Sequence, residues 1–284
     1  MSKPHTLRKK SNPVVKALEL ILLVVLFVIY VFPFYWMLIG SIKTAFECIS
    51  VKPVWWPAEI QWGNYPIAWE RANFPKFLKN TVLLGLSCVA ACLVVSIPAA
   101  YAFGRMEFRG KKALWAVILS DMMIPVQCVF LPLFILFSKL SMLNTYGAMI
   151  LVFAYSGGTI FYLRNAFMQI NNEIMEAARL DGASEVTVMF RVMFPMIKPA
   201  MVTQVFFIFL RRWNDYFWNL SLTTNDNVRT LPYAIRGLTD TNDGFIPEWN
   251  ISMAGSTLLM APMLIAYIIA NKQIKNAYFY SGIK

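Results

Sequence analysis

The 284-residue sequence is short of charge. Only 14% of its residues are Asp, Glu, Lys or Arg, where soluble domains carry about 25%. A shortfall of that size excludes a chain that meets water along most of its length. Histidine is nearly absent: His5, in a basic N-terminal tail, leaves no cluster for general-base or zinc chemistry. The four cysteines, Cys48, Cys88, Cys92 and Cys128, form no CxxC pair. Cys88 and Cys92 lie four apart in an apolar run and read as small buried hydrophobes, with a metal pair as the lesser alternative. No GxxxxGK[ST], HExxH or GxSxG stretch occurs, and no internal repeat is visible. These absences argue against an ATPase, a metalloprotease or a serine hydrolase.

What is plentiful is apolar surface: 58% of the residues are hydrophobic, 15% are aromatic, and the mean hydropathy is +0.54. The net charge of +11 sits in short clusters between apolar runs, which is orientation charge and not a nucleic-acid face. The runs mark six expected spans: Leu20–Ile42, Asn80–Gly104, Ala113–Ser138, a fourth within Leu140–Tyr162 starting near Tyr146, Pro199–Leu222, and Trp249–Asn271. Each is long enough as a helix to cross about 30 Å of hydrocarbon. Leu20–Ile42 follows Lys3, Arg8, Lys9, Lys10 and Lys16, but it is too long for a signal-peptide core and reads as a retained first span. With the N-terminus inside, Lys and Arg favour the inner segments by roughly two to one, so both termini are expected in the cytoplasm.

The expected organisation is a basic tail (1–19), a first span (20–42), an outer loop (43–79), a five-span unit (80–272) and a short inner tail (273–284). The outer loop carries Trp55, Trp56, Trp62 and Trp69 and is expected to be ordered or interfacial. Thr223–Trp249, rich in polar residues, is expected to be exposed. Pro33, Pro98, Pro125, Pro132 and Pro262 fall within spans, where they either bend a helix lining a path or serve packing.

The segment 171–199 is the most patterned. Ile174, Ala177 and Ala178 share one helical face, with Asn172, Glu176 and Arg179 opposite. Asp181-Gly182 stops that helix, since Gly182 can take the left-handed conformation that closes a helix. Ser184 then caps a second helix with Glu185 in its first turn. Val186, Met189, Phe190 and Met193 form that helix's expected apolar face, and Pro195 its end. A membrane-surface hairpin would need a Lys/Arg-rich polar face. Here Glu173, Glu176, Asp181 and Glu185 mix with Arg179 and Arg191.

Glu176-Ala177-Ala178, Asp181-Gly182-Ala183, Val192 and Phe194-Pro195 closely resemble the EAA loop of type I ABC importer permeases. Val192 and Phe194 stand where the family pattern has Ile and Leu. Ala100-Tyr101-Ala102-Phe103 with Arg105, Leu143-Asn144-Thr145-Tyr146, Trp213-Asn214-Asp215 and Gly282-Ile283-Lys284 are similar to the smaller, maltose-type permease of carbohydrate importers. The resemblance implies an all-α integral membrane protein, with six transmembrane helices and a cytoplasmic helix-turn-helix coupling loop between spans four and five. It implies a bacterial or archaeal cytoplasmic-membrane permease for a carbohydrate, working with a second permease subunit, two ABC ATPase subunits and an extracytoplasmic solute-binding protein. It further implies that Glu176, Ala177, Ala178, Asp181, Gly182 and Ala183 contact the ATPase. ATP and Mg are then used by that partner, and this chain is neither an enzyme nor a cofactor binder.

Arg211 and Arg212 depart from the family pattern, which has uncharged residues there. Charges within spans are functional candidates. Three readings stand: a structural ion pair, with Arg211 and Asp215 four apart and Asp121 another possible partner; a pathway lining favouring an anionic solute; or a fifth span that starts late and leaves the arginines at an interface. Alternatives for the whole chain are an importer of a related solute such as glycerol-3-phosphate, or an ion-coupled secondary transporter, for which Asp121 and Asp215 would be the carboxylates.

Overall fold

In a computed structural model, residues 13–239 and 246–282 are described, with side chains from 14 to 275. His5, most of the basic tail and the closing Ile283-Lys284 lie outside the described residues. Among those described, every regular element is helical.

Helix α1 (Pro13–Gly40) begins well before Leu20, because the positions ahead of it are equally compatible with helix and Pro13 suits a helix start. Between it and the next long helix lie α2 (Ala45–Ile49), with a complete Thr44/Glu47 capping box, and α3 (Asn64–Arg71). The Trp-rich segment after α1 is therefore ordered: Trp55 meets Trp36 edge-on at 5.9 Å, and Trp69 stacks on Phe74 at 4.6 Å. Helix α4 (Phe74–Arg105) runs unbroken through Pro98 and forms the spine of the bundle, burying Leu84, Cys88, Cys92, Ala100 and Tyr101.

The next three expected spans are broken. Helices α5 (Lys111–Asp121) and α6 (Val126–Lys139) meet at 99°, with Pro125 as N-cap of α6. Helices α7 (Tyr146–Ala154) and α8 (Gly157–Met168) meet at 45° across Tyr155-Ser156. Helix α9 (Asn172–Leu180) and helix α10 (Glu185–Met196) form the patterned segment. An 82° bend at Ile197 leads to α11 (Lys198–Trp213), which stops short of the expected Leu222. Helix α12 (Phe217–Leu222) completes that stretch after a break at Asn214–Tyr216. Helix α13 (Leu231–Arg236) precedes the closing α14 (Trp249–Gly282), again unbroken at its Pro262.

Helices α1, α4 and α14 are each long and apolar enough to cross a membrane, and bent pairs raise the possible crossings to six. The segment 223–239 is not the exposed loop expected. Leu231, Ile235 and Leu238 form a core with Ala68, Phe74, Phe77, Ile251 and Ala254. Thr81 Oγ1 accepts from Leu231 N at 2.9 Å, and Asn80 donates to the carbonyls of Asn227 and Arg229. Its apolar residues sit every three or four positions, so they bury one face although polar residues dominate the composition.

Candidate functional site

Asn171 caps α9, its side chain accepting from Glu173 N, and the helix stops as expected at Asp181-Gly182, where Gly182 has φ of +79°. Ser184 caps α10 by accepting from Thr187 N at 3.3 Å. The faces differ from expectation. Met175, not Ile174, is the buried anchor of α9. Ala178 and Ala183 pack beside it against the core, while Glu176, Ala177, Asp181 and Gly182 are exposed. Ile174, Leu180 and, on α10, Val186 and Phe190 also face outward, Leu180 at 89% exposure.

On α10, Met189 and Met193 are buried as expected, with Val188 beside them, while Val186 and Phe190 are exposed; Val188–Met193 is a π-helical stretch. Pro195 does not end the helix. It is the next-to-last residue of α10, and the break comes two residues later, at Ile197.

Two residues of α4 hold this segment. Tyr101 Oη donates to Glu185 Oε2 at 2.7 Å, and Arg179 Nε donates to Glu185 Oε1 at 2.7 Å. The Arg179 hydrogen bond first, then that of Tyr101, holds the Glu185 carboxyl below the usual carboxylate range, so it is an anionic acceptor at neutral pH. One turn further on, Arg105 donates to the carbonyls of Phe167 and Ile170 and to Asn172 Oδ1. Its charge sits at the C-terminal end of α8, where free carbonyls favour a cation. Tyr101 and Arg105 were visible in the sequence as neighbours four apart on one helical face; nothing there disclosed their partners.

The charged residues within the expected spans separate into two groups. Arg212, not Arg211, pairs with Asp215: Arg212 is fully buried and its Nη1 meets Asp215 Oδ2. The helix ends at Trp213, so the chain turns back there and brings Asp215 under the residue three before it. Asp215 also accepts from Trp218 N at 3.2 Å and Asn219 Nδ2 at 3.1 Å, and Asn219 Oδ1 accepts from Thr230 N at 3.0 Å. The pair thus fastens the break between α11 and α12 to the segment before α13. Arg212 Nε and Nη2 are buried without a hydrogen-bond partner, and Phe153 lies 5.2 Å from the guanidinium.

Asp121 and Arg211 are both exposed and do not meet each other. Asp121 Oδ2 accepts from Gly157 N at 3.3 Å, and Arg211 Nη2 donates to Ser156 Oγ at 3.4 Å. They therefore bracket the same break, between α7 and α8. No group of three or more His, Cys, Asp or Glu side chains suited to a metal occurs among the described residues.

The profile of the family described as "Binding-protein-dependent transport system inner membrane component" matches residues 93–278. A probable ABC transporter permease protein of Bacillus subtilis is 31% identical over 89% of this chain and 81% of its own length. The arabinooligosaccharides transport system permease protein of the same organism is 27% identical over 90% and 89%. A chain of a bacterial ABC transporter involved in the import of the acidic polysaccharide alginate superposes with a TM-score of 0.80 at 22% identity. That superposition covers 94% of this chain and 98% of the other, a likeness of fold.

Proposed function

The chain belongs to the family of binding-protein-dependent transport system inner membrane components, and from that premise we propose that it is a permease subunit of an ATP-driven carbohydrate importer. The carbohydrate assignment draws on the arabinooligosaccharide relative. In this reading the chain crosses a bacterial or archaeal cytoplasmic membrane six times with both termini inside. We count α11 with α12 as the fifth crossing, because α10 carries Glu185 and Arg191 and packs under α8 and α9. A second permease completes the pathway, two ATPase subunits bind ATP and Mg, and an extracytoplasmic protein delivers the solute.

The observation that carries the proposal is the outward face of α9–Gly182–α10. Ile174, Ala177, Leu180, Val186 and Phe190 give it an apolar centre, with Glu176, Asp181 and Arg191 at the rim. A helical pair that offers apolar anchors to a groove and keeps its charges at the edge is a docking element. Glu176, Ala177, Asp181 and Gly182 form its contact surface, and Ala178 and Ala183 let the pair lie close to the bundle.

The test is uptake by vesicles holding the complete transporter, with a labelled arabino-oligosaccharide as first probe, together with disulfide trapping of Ala177→Cys to the ATPase. Uptake that stops on ATP removal, and an Ala177→Cys adduct with the ATPase, are expected. Uptake that persists without ATP and collapses with a protonophore alone would make the chain a secondary transporter.

A further inference from the structure

Besides its apolar packing through Met175, Val188, Met189 and Met193, the coupling segment has two polar attachments to the bundle, and both belong to the last turn of α4. Arg105 holds the start of α9 through Asn172 Oδ1 and the carbonyl of Ile170. Tyr101 holds its far end through the Glu185 carboxylate, whose second oxygen accepts from Arg179. Tyr101 and Arg105 are one helical turn apart on one face, so they act as a clasp with two jaws. Between the jaws, Tyr101 Oη also lies 4.0 Å from Met175 Sδ, and its ring meets Phe167 edge-on at 5.7 Å. Toward α11 the connection is of another kind. Gly182 separates the two helices in a left-handed turn, Val188–Met193 is π-helical, the chain bends by 82° at Ile197, and the contact is apolar, through Val188, Met193, Ile197 and Met201. A push on the outward face of α9 and α10 therefore meets non-directional apolar packing toward α11 and directional, charge-assisted bonds toward α4.

We propose that the final turn of α4 is the lever that receives the ATPase stroke, with Tyr101 and Glu185 as the positioning residues that fix α9 to it. This rests on the coupling role given to the segment above. It goes beyond that role by naming the helix that moves and the bonds that move it. Glu185 bridges three elements: its own α10, α9 through Arg179, and α4 through Tyr101. Its loss leaves the docking face intact, since Glu185 is not among the apolar anchors of that face. What is lost is the transfer of movement to α4, which in turn packs along α7, α8 and α11.

Hydrogen exchange read by mass spectrometry on the complete transporter in lipid nanodiscs tests this without knowing the solute. Wild type, Tyr101→Phe and Glu185→Gln are compared nucleotide-free and trapped with ATP, Mg and vanadate. In the wild type, peptides spanning 172–190 are expected to be protected by the ATPase, and peptides spanning 94–105 to change exchange on trapping. In both variants the 172–190 protection should remain, while the trapping response of 94–105 falls about tenfold, the scale set by one charge-assisted hydrogen bond. Tyr101→Phe removes one oxygen and keeps the ring, so its nucleotide-free profile serves as the folding control. A response at 94–105 that survives in both variants, or is missing in the wild type, overturns the lever. Absence of ATPase-dependent protection at 172–190 in the wild type would instead sink the coupling role itself.

Discussion

At Gly182 the backbone sits at φ +79°, and a Cβ there would meet no neighbour within 4 Å. The cost of a side chain is thus conformational and not steric crowding, about 1 kcal/mol for alanine and more for a β-branched residue. Gly182→Ala should keep most coupled uptake. Gly182→Val and Gly182→Pro should insert normally, as judged by membrane yield, yet lose nearly all uptake. Undiminished ATP-dependent uptake in Gly182→Val would remove the turn from the coupling element. The same residue shows what was legible in sequence: a glycine closing a periodic helix announces its own backbone conformation. Glu185 announced only its place in a first turn. Its bridge to Tyr101 spans 84 positions of chain, and no local spacing encodes such a contact. Because its carboxyl lies below its ordinary range, the bridge is fully made above that range. It loosens only as pH falls through the lowered value, so cytoplasmic pH changes near neutrality should leave coupling unaltered.

The Arg212–Asp215 pair poses a related problem. Its charges are buried, and removing one partner of a buried pair costs about 3–5 kcal/mol. The two sides are unequal here. Asp215 keeps hydrogen bonds from Trp218 N and Asn219 without Arg212, whereas Arg212 already has two unpartnered nitrogens and would keep none of its ionic support without Asp215. Asp215→Ala should therefore lower the melting temperature of the detergent-solubilised protein more than Arg212→Met. The double variant should be more stable than Asp215→Ala alone. Equal and additive losses would mean that the two side chains act independently.

At the scale of elements, apolar runs located the long helices α1, α4 and α14, because apolar length is a property of the sequence itself. The breaks were less legible. Prolines stand at the α5–α6 joint (Pro125) and beside the α10–α11 bend (Pro195 and Pro199), but the α7–α8 break has none, and Pro33, Pro98, Pro132 and Pro262 lie inside unbroken helices. The α7–α8 break lies at Tyr155-Ser156, just before Gly157 opens α8. There a Cβ on Gly157 would stand 2.8 Å from the Ile118 carbonyl and 2.9 Å from Asp121 Oδ2. Backbone cannot yield as a side-chain tip does, so Gly157→Ala should push α5 off α8 and reduce folded yield. Gly158→Ala, whose nearest neighbour would be Met122 Cε at 3.9 Å, should be tolerated. Size-exclusion profiles of the two variants separate these outcomes, and identical profiles would show that the α5–α8 contact is unimportant.

For the whole molecule, two kinds of exposed surface on the candidate spans have different physical meanings. The middle of α1 is apolar all round, with Leu23 at 63%, Phe27 at 66% and Tyr30 at 72% exposure, which hydrocarbon accepts without penalty. The face around the α5–α6 and α7–α8 breaks is different. Met123 is 83% exposed, but Asp121 and Arg211 are exposed beside the same breaks, and charges within a span are costly against lipid. They need either water or another protein, and free backbone groups at the breaks need the same. In the importer proposed above, the first surface would therefore meet lipid and the second the joint with a second permease. A photo-crosslinking residue at position 123 should yield an adduct with the second permease in the assembled transporter. One at position 27 should yield lipid adducts only. The reverse pattern would turn the subunit around within the assembly and move Asp121 and Arg211 off the pathway side. With the expected pattern, Arg211→Gln should weaken uptake of an acid-bearing saccharide and leave a neutral one unchanged, since only the former gains from a guanidinium in the path.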